Sequence, residues 1–139
     1  MDGIGVSAQD ANMAVARAAI DAFNRRDMDA MLELAGDDFE YDWSRSLGPS
    51  AGVYRGTEGF QEFTNEQWDL FEEFQVEPLE FVPCGDRHVV VTTTVRATGR
   101  GGVPVSATST HLYTFDDDGR LVRITLYQER EEALAAAAE

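Results

Sequence analysis

The sequence predicts an α+β domain, with three N-terminal helices packed on a mostly antiparallel sheet. Three observations lead there. Apolar residues recur at three- and four-residue steps up to Phe74, interrupted by one short alternating run. From Val76 onward the pattern changes to strand-length runs rich in β-branched residues. Those runs are separated by Gly85-Asp86, Gly99-Arg-Gly-Gly102 and Asp116-Asp-Asp-Gly119, the short turns of an antiparallel meander.

Residues 1–9 are small and Gly-rich and read as a loose N-terminus. From Asp10 to about Arg26, Met13, Ala16, Ile20 and Phe23 form one stripe, leaving Arg17, Asp21 and Asn24 on the other faces. Asp27 then caps a shorter helix with a stripe of Met28, Met31, Leu32 and Ala35, and Gly36 ends it. In the alternating run, Phe39, Tyr41 and Trp43 share one strand face and Glu40 and Asp42 the other. Gly48-Pro49, Gly52 and Gly56 make residues 44–56 a loop. Thr57 caps a third helix, whose wide stripe of Phe60, Phe63, Gln67, Leu70, Phe71 and Phe74 lids the core. Strands follow over residues 76–83, 87–98, 103–115 and 121–128. The Glu- and Ala-rich tail, 129–139, favours helix but is too short to hold one without packing.

A chain of 139 residues with 43% hydrophobic content can bury one real core, so residues 10–128 form a single domain. The net charge of -15 repels phosphate backbones and anionic lipid, and no basic cluster reverses it locally. Nucleic acid and membranes are therefore not expected partners. There is no bilayer-length apolar run and no basic, greasy leader at the start, which points to a cytoplasmic protein. Cys84 is the one cysteine, so an internal disulfide is impossible, and it reads as a small, partly buried residue. With one Cys and two His, neither His88 nor His111 stands at zinc-ligand spacing.

Strand parity collects the chemistry. Val105, Ala107, Ser109, His111, Tyr113 and Phe115 share a mostly apolar face, so His111 points into the core or into a pocket. On the last strand Val122, Ile124, Leu126 and Gln128 share a face, which brings Ile124 and Gln128 toward the same place. An imidazole there can move a proton near neutral pH, and an adjoining carboxylate would fix its tautomer. Asp42 is the available carboxylate, provided its strand bulges or shifts by one residue. Arg96 can supply a fixed positive charge if it faces inward; its parity with Thr92 and Thr94 leaves the direction open.

The order of elements, together with three stretches, resembles the SnoaL-like, polyketide-cyclase branch of the nuclear-transport-factor-2-like superfamily. The stretches are Ala22 to Asp38 (AFNRRDMDAMLELAGDD), Gly52 to Gly59 (GVYRGTEG) and Tyr113 to Ile124 (YTFDDDGRLVRI). The resemblance implies a strongly curved sheet wrapped into a cone with a pocket, closed by the helices, and a homodimer formed through the sheet. It implies that His111 falls where ketosteroid isomerases hold the acid that stabilises an oxyanion. Their general base falls near Asp42 and Trp43, and their first-helix tyrosine falls on Ala19, which argues against steroid isomerisation.

Two functions follow. One is a cofactor-independent enzyme acting by proton transfer on a small apolar carbonyl or polyketide-like molecule, with His111, Asp42 and Arg96 as catalytic groups. Tyr41, Trp43, Phe63, Tyr113, Ile124 and Gln128 would then contact the ligand. The other is a non-catalytic ligand-binding or dimerisation domain, in which His111 is a buried, hydrogen-bonded core residue. Neither requires a metal or cofactor.

Overall fold

The computed structural model describes residues 7–46 and 51–138. Helices α1 (Ala8–Asn24) and α2 (Met28–Leu34) lead into strand β1 (Ala35–Asp42). Strand β2 (Val53–Arg55) and helix α3 (Gly56–Leu70) follow. The meander β3 (Phe71–Cys84), β4 (His88–Gly99), β5 (Pro104–Phe115) and β6 (Leu121–Tyr127) comes next, and α4 (Arg130–Ala137) closes the chain. The strands form one six-stranded sheet in the order β2-β1-β6-β5-β4-β3. All neighbours are antiparallel except β1 and β6, which run parallel. The helices and sheet make the expected α+β cone.

Local chemistry sets the element ends. Ser7 caps α1 by accepting from the Asp10 amide, so the helix begins inside the segment expected to be loose, whose first six residues lie outside those described. Asp27 caps α2 as expected, accepting from the Ala30 amide at 3.1 Å. Between them Arg26 takes a left-handed φ of 56°. Its guanidinium donates to the carbonyls of Trp68, Phe71 and Glu72, tying this corner to the end of α3. Asn24 holds the edge strand in both directions. Its amide donates to Val76 O at 2.9 Å, and its Oδ1 accepts from Val76 N at 2.8 Å.

Several expectations are corrected. Gly36 belongs to β1 and does not end a helix. Part of the expected loop pairs with β1 as β2, while Gly48-Pro49 lies outside the described residues. Helix α3 has no side-chain cap from Thr57, because Arg55 holds the cap position. The helix also stops at Leu70, and Phe71 and Phe74 belong to β3. A bulge between Phe71 and Glu73 brings these two rings within 5.1 Å, so a strand reproduces the three-residue spacing of a helix. A second register shift, between Pro78 and Glu80, leaves Leu79 56% exposed on the edge strand, where proline's missing donor is tolerated.

The main core lies between α1, α2, α3 and the inner face of the sheet, with Ala16, Phe39, Phe115, Val89 and Val91 essentially sealed. A smaller one lies on the outer face, where α4 sets Ala133 and Ala137 against Val90 and Leu112. That packing, with Arg130 gripping Glu80 through two hydrogen bonds of 2.8 and 3.2 Å, gives the tail the partner it needs to stay helical. Cys84 is half-buried at the end of β3, and burial pushes its thiol pKa up, away from nucleophilic use. No helix among the described residues is long and apolar enough to cross a membrane.

Candidate functional site

Inside the cone lies a cavity with about 80 Å³ of room for the centres of water-sized molecules. One such centre needs roughly 10–15 Å³, so the space suits on the order of six waters or a guest of one or two rings. Helix α1 contributes Ala19, Ile20 and Phe23, and α2 contributes Met31. Helix α3 adds Phe60, Phe63 and Gln67. The sheet supplies the rest in rows, because directly paired residues face the same way. One row runs Tyr41, Ile124, Tyr113 across β1, β6 and β5. In the next row β6 and β5 pair Leu126 with His111, and Trp43, just past β1, lies beside the histidine.

His111 is 7% exposed and lines this cavity. Its cross-strand neighbours are Val91 and Leu126, its ring lies 5.1 Å from that of Trp43 at 34°, and its Nε2 shares a 3.3 Å hydrogen bond with the Ser109 hydroxyl. Burial among apolar groups lowers its pKa from 6.5 to about 4, so the ring is neutral at pH 7. Burial likewise raises the pKa of Tyr41 and Tyr113, which stay protonated. Every described residue lining the cavity is formally uncharged at that pH.

The sequence-derived candidates therefore divide. His111, Tyr41, Trp43, Phe63, Tyr113 and Ile124 come together around the cavity. Asp42, Arg96 and Gln128 do not. The irregularity in β1 comes before Glu40, so the alternation from Phe39 to Trp43 is preserved and Asp42 stays off the cavity face. Partial burial pushes the Asp42 carboxyl up, but hydrogen bonds from the Ser44 amide and hydroxyl, with the charges of Arg45 and Arg123, leave its pKa below the usual value. Arg96 is exposed and lies 3.4 Å from Glu77. Gln128 is exposed past the end of β6 and donates to the Arg45 carbonyl at 2.7 Å. On β6, a shift in register between Thr114 and Phe115 puts Leu121, rather than Val122, on the cavity wall.

Residues 16–124 match the SnoaL-like domain family. The chain belongs to that family. No curated protein matches it in sequence. Among solved structures it is similar to TerC co-crystallised with polyporic acid, at 23% identity and a TM-score of 0.73, covering 93% of this chain and 99% of that one. It is similar to RV0760c from Mycobacterium tuberculosis in complex with estradiol-17beta-hemisuccinate, at 15% identity and a TM-score of 0.75, covering 86% and 94%. Bal32a from a soil-derived mobile gene cassette shares 20% identity at a TM-score of 0.78, covering 96% and 100%. At these identities what is shared is the fold. Activity must be argued from the site.

The signals that sequence reasoning left unused at this site were Ser109, already on the parity face of His111, and Gln67, already in the α3 stripe. Met31 and Val95 stood on apolar faces with nothing to single them out, since only docking decides which part of such a face meets a void; Ala19 was marked only by the resemblance, as the position of the isomerases' first-helix tyrosine. Among the described residues, no group of three or more His, Cys, Asp or Glu is placed to hold a metal ion.

Proposed function

We propose that this SnoaL-like domain binds a small, largely apolar, ring-bearing molecule in its cavity, with His111 as the polar group that engages it. The observation that carries this reading is a neutral imidazole facing a recessed pocket whose other walls are mainly aromatic and aliphatic. Large apolar pockets with a few convergent polar groups are the usual form of small-molecule sites. Two proteins of the same fold, TerC and RV0760c, were crystallised with polyporic acid and estradiol-17beta-hemisuccinate respectively, which supports this fold as a container for small molecules.

A neutral imidazole donates one hydrogen bond and accepts another, so it can orient a carbonyl or hydroxyl. As a general base it is weak, because its pKa of about 4 lies far from pH 7 and no carboxylate lines the cavity to strengthen it. Binding is therefore the primary reading. Cofactor-independent proton transfer is the second, favoured by the contact between Ser109 and His111 in a water-poor site; it requires a guest that raises the histidine's pKa when bound. A homodimer through the sheet remains an expectation that sedimentation can test.

The test is a titration with a panel of one- and two-ring ketones and phenols, followed by NMR of the His111 ring. Binding should move the ring signals, and His111→Gln should weaken affinity about tenfold, the worth of one good hydrogen bond. Guests that bind without moving those signals would remove His111 from the site. Unchanged turnover in His111→Ala would remove the catalytic reading.

A further inference from the structure

The inference concerns the class of guest and rests on the binding reading above. Three observations about charge and hydrogen bonding converge on it. Among the described residues, no Asp, Glu, Lys or Arg lines the cavity. The chain as a whole carries a net charge of -15, so its field opposes the approach of anions. Third, Tyr41 and Tyr113 flank Ile124 in one row of the inner sheet face, and the two phenols are close enough to sense each other electrostatically. No hydrogen bond within the described residues engages either hydroxyl, while both side chains line the cavity.

We propose that the cavity selects uncharged guests, held through an oxygen that accepts hydrogen bonds from Tyr41 and Tyr113. A carboxylate entering it would shed its hydration with no cation to replace it, and a buried charge left unpaired is costly. An ammonium would meet aromatic faces, which attract it, yet would find no carboxylate among the lining residues. Only a neutral molecule enters without leaving a charge unpaired. Its ring system packs against Phe60, Phe63 and Trp43, and its oxygen satisfies two donors that have no acceptor among the described residues. Ala19 leaves room on the α1 side, opposite the tyrosine row of the sheet.

The experiment uses four probes of one size: 2-acetylnaphthalene, naphthalene, 2-naphthoate and 2-naphthylmethylammonium. Each is titrated into the full chain at pH 7 by calorimetry and by tryptophan fluorescence, which Trp43 in the wall should report. The ketone should bind at least about tenfold more tightly than either ion, consistent with the cost of burying an unpaired charge. The double variant Tyr41→Phe, Tyr113→Phe should weaken the ketone at least about tenfold, the worth of a lost hydrogen bond, and leave naphthalene unchanged. Either ion binding as tightly as the ketone overturns the charge selection, and an unaffected ketone in the double variant overturns the tyrosine assignment; in both cases the binding reading survives. No binding by any of the four overturns both.

Discussion

Replacing His111 by Gln should remove a specific part of the protein's acid sensitivity. The folded ring has a pKa of about 4, lowered by burial, while the unfolded one returns to about 6.5. Above pH 6.5 neither state binds a proton at this residue. Between pH 6.5 and 4 the unfolded state binds more protons, so stability rises with pH across that window and is lost as pH falls through it. At about 1.4 kcal/mol for each tenfold change, the loss amounts to about 3 kcal/mol by pH 4. Gln keeps a polar group beside Ser109 and cannot titrate. The assay is urea unfolding of both proteins at half-unit steps from pH 7.5 to 4, and the quantity read is the difference between the two stability curves. His88, whose pKa is lowered by partial burial and by Arg87, is common to both proteins and drops out. A difference that stays flat would show that the imidazole is hydrated or paired in solution, and would refute the burial on which the binding argument stands.

Other perturbations test the scaffold and the void. Gly59→Ala, in α3, should destabilise although alanine ordinarily gains about 1 kcal/mol over glycine in a helix, because its Cβ would come within 2.9 Å of the Tyr54 backbone; a higher melting temperature would show that α3 can slide on β2. Asn24→Ala should cost about 1–3 kcal/mol by leaving the Val76 amide and carbonyl without their clamp, and hydrogen exchange at Val76 should accelerate, whereas unchanged exchange would place the clamp outside the folded ensemble. With 26 acidic residues against 11 basic ones, the melting temperature should rise as sodium chloride is added from low ionic strength; a flat response would mean that self-repulsion is already balanced. Ala19→Leu should fill part of the cavity, gaining up to about 2 kcal/mol from the added carbons where they fit, and should abolish binding of two-ring probes; retained binding would put the guest elsewhere.

Much of this architecture was legible because period and parity are local properties. The Asp27 cap, the face shared by Phe39, Tyr41 and Trp43, and the turns between the late strands each depend on a few consecutive residues. Where the reading went astray, a distant partner decides. Phe71 and Phe74 satisfy helical spacing, yet pairing with β4 and the bulge between Phe71 and Glu73 claim them for the sheet, and Arg26 and Arg100 cap the carbonyls of Trp68 and Asp69 where the helix stops. Likewise, the parallel pairing of β1 with β6 joins segments about 80 residues apart, and no local signal announces it.

The site divides along the same line. Parity put Tyr41 and Trp43 on one face of their strand and His111 and Tyr113 on one face of theirs; the pairing of β1 with β6 and of β6 with β5 joins the two faces. Parity could not decide for Arg96, whose strand alternates Thr with Val, and it gave the same answer for Asp42 that the structure gives, off the cavity face; only the wish for a carboxylate beside the histidine argued otherwise. What makes a void there, and not a solid core, is a matter of side-chain volume. Ala19 on the buried side of α1 and Ala35 at the start of β1 line the void, opposite large rings on α3 and the sheet. An apolar stripe reads the same whether it is built of Ala or of Leu, but the volume it leaves unfilled does not. The empty room therefore traces to small residues at positions where periodicity requires only an apolar one. That is why Ala19, silent in the pattern, is the position at which a single substitution should separate a binding cavity from a packing defect.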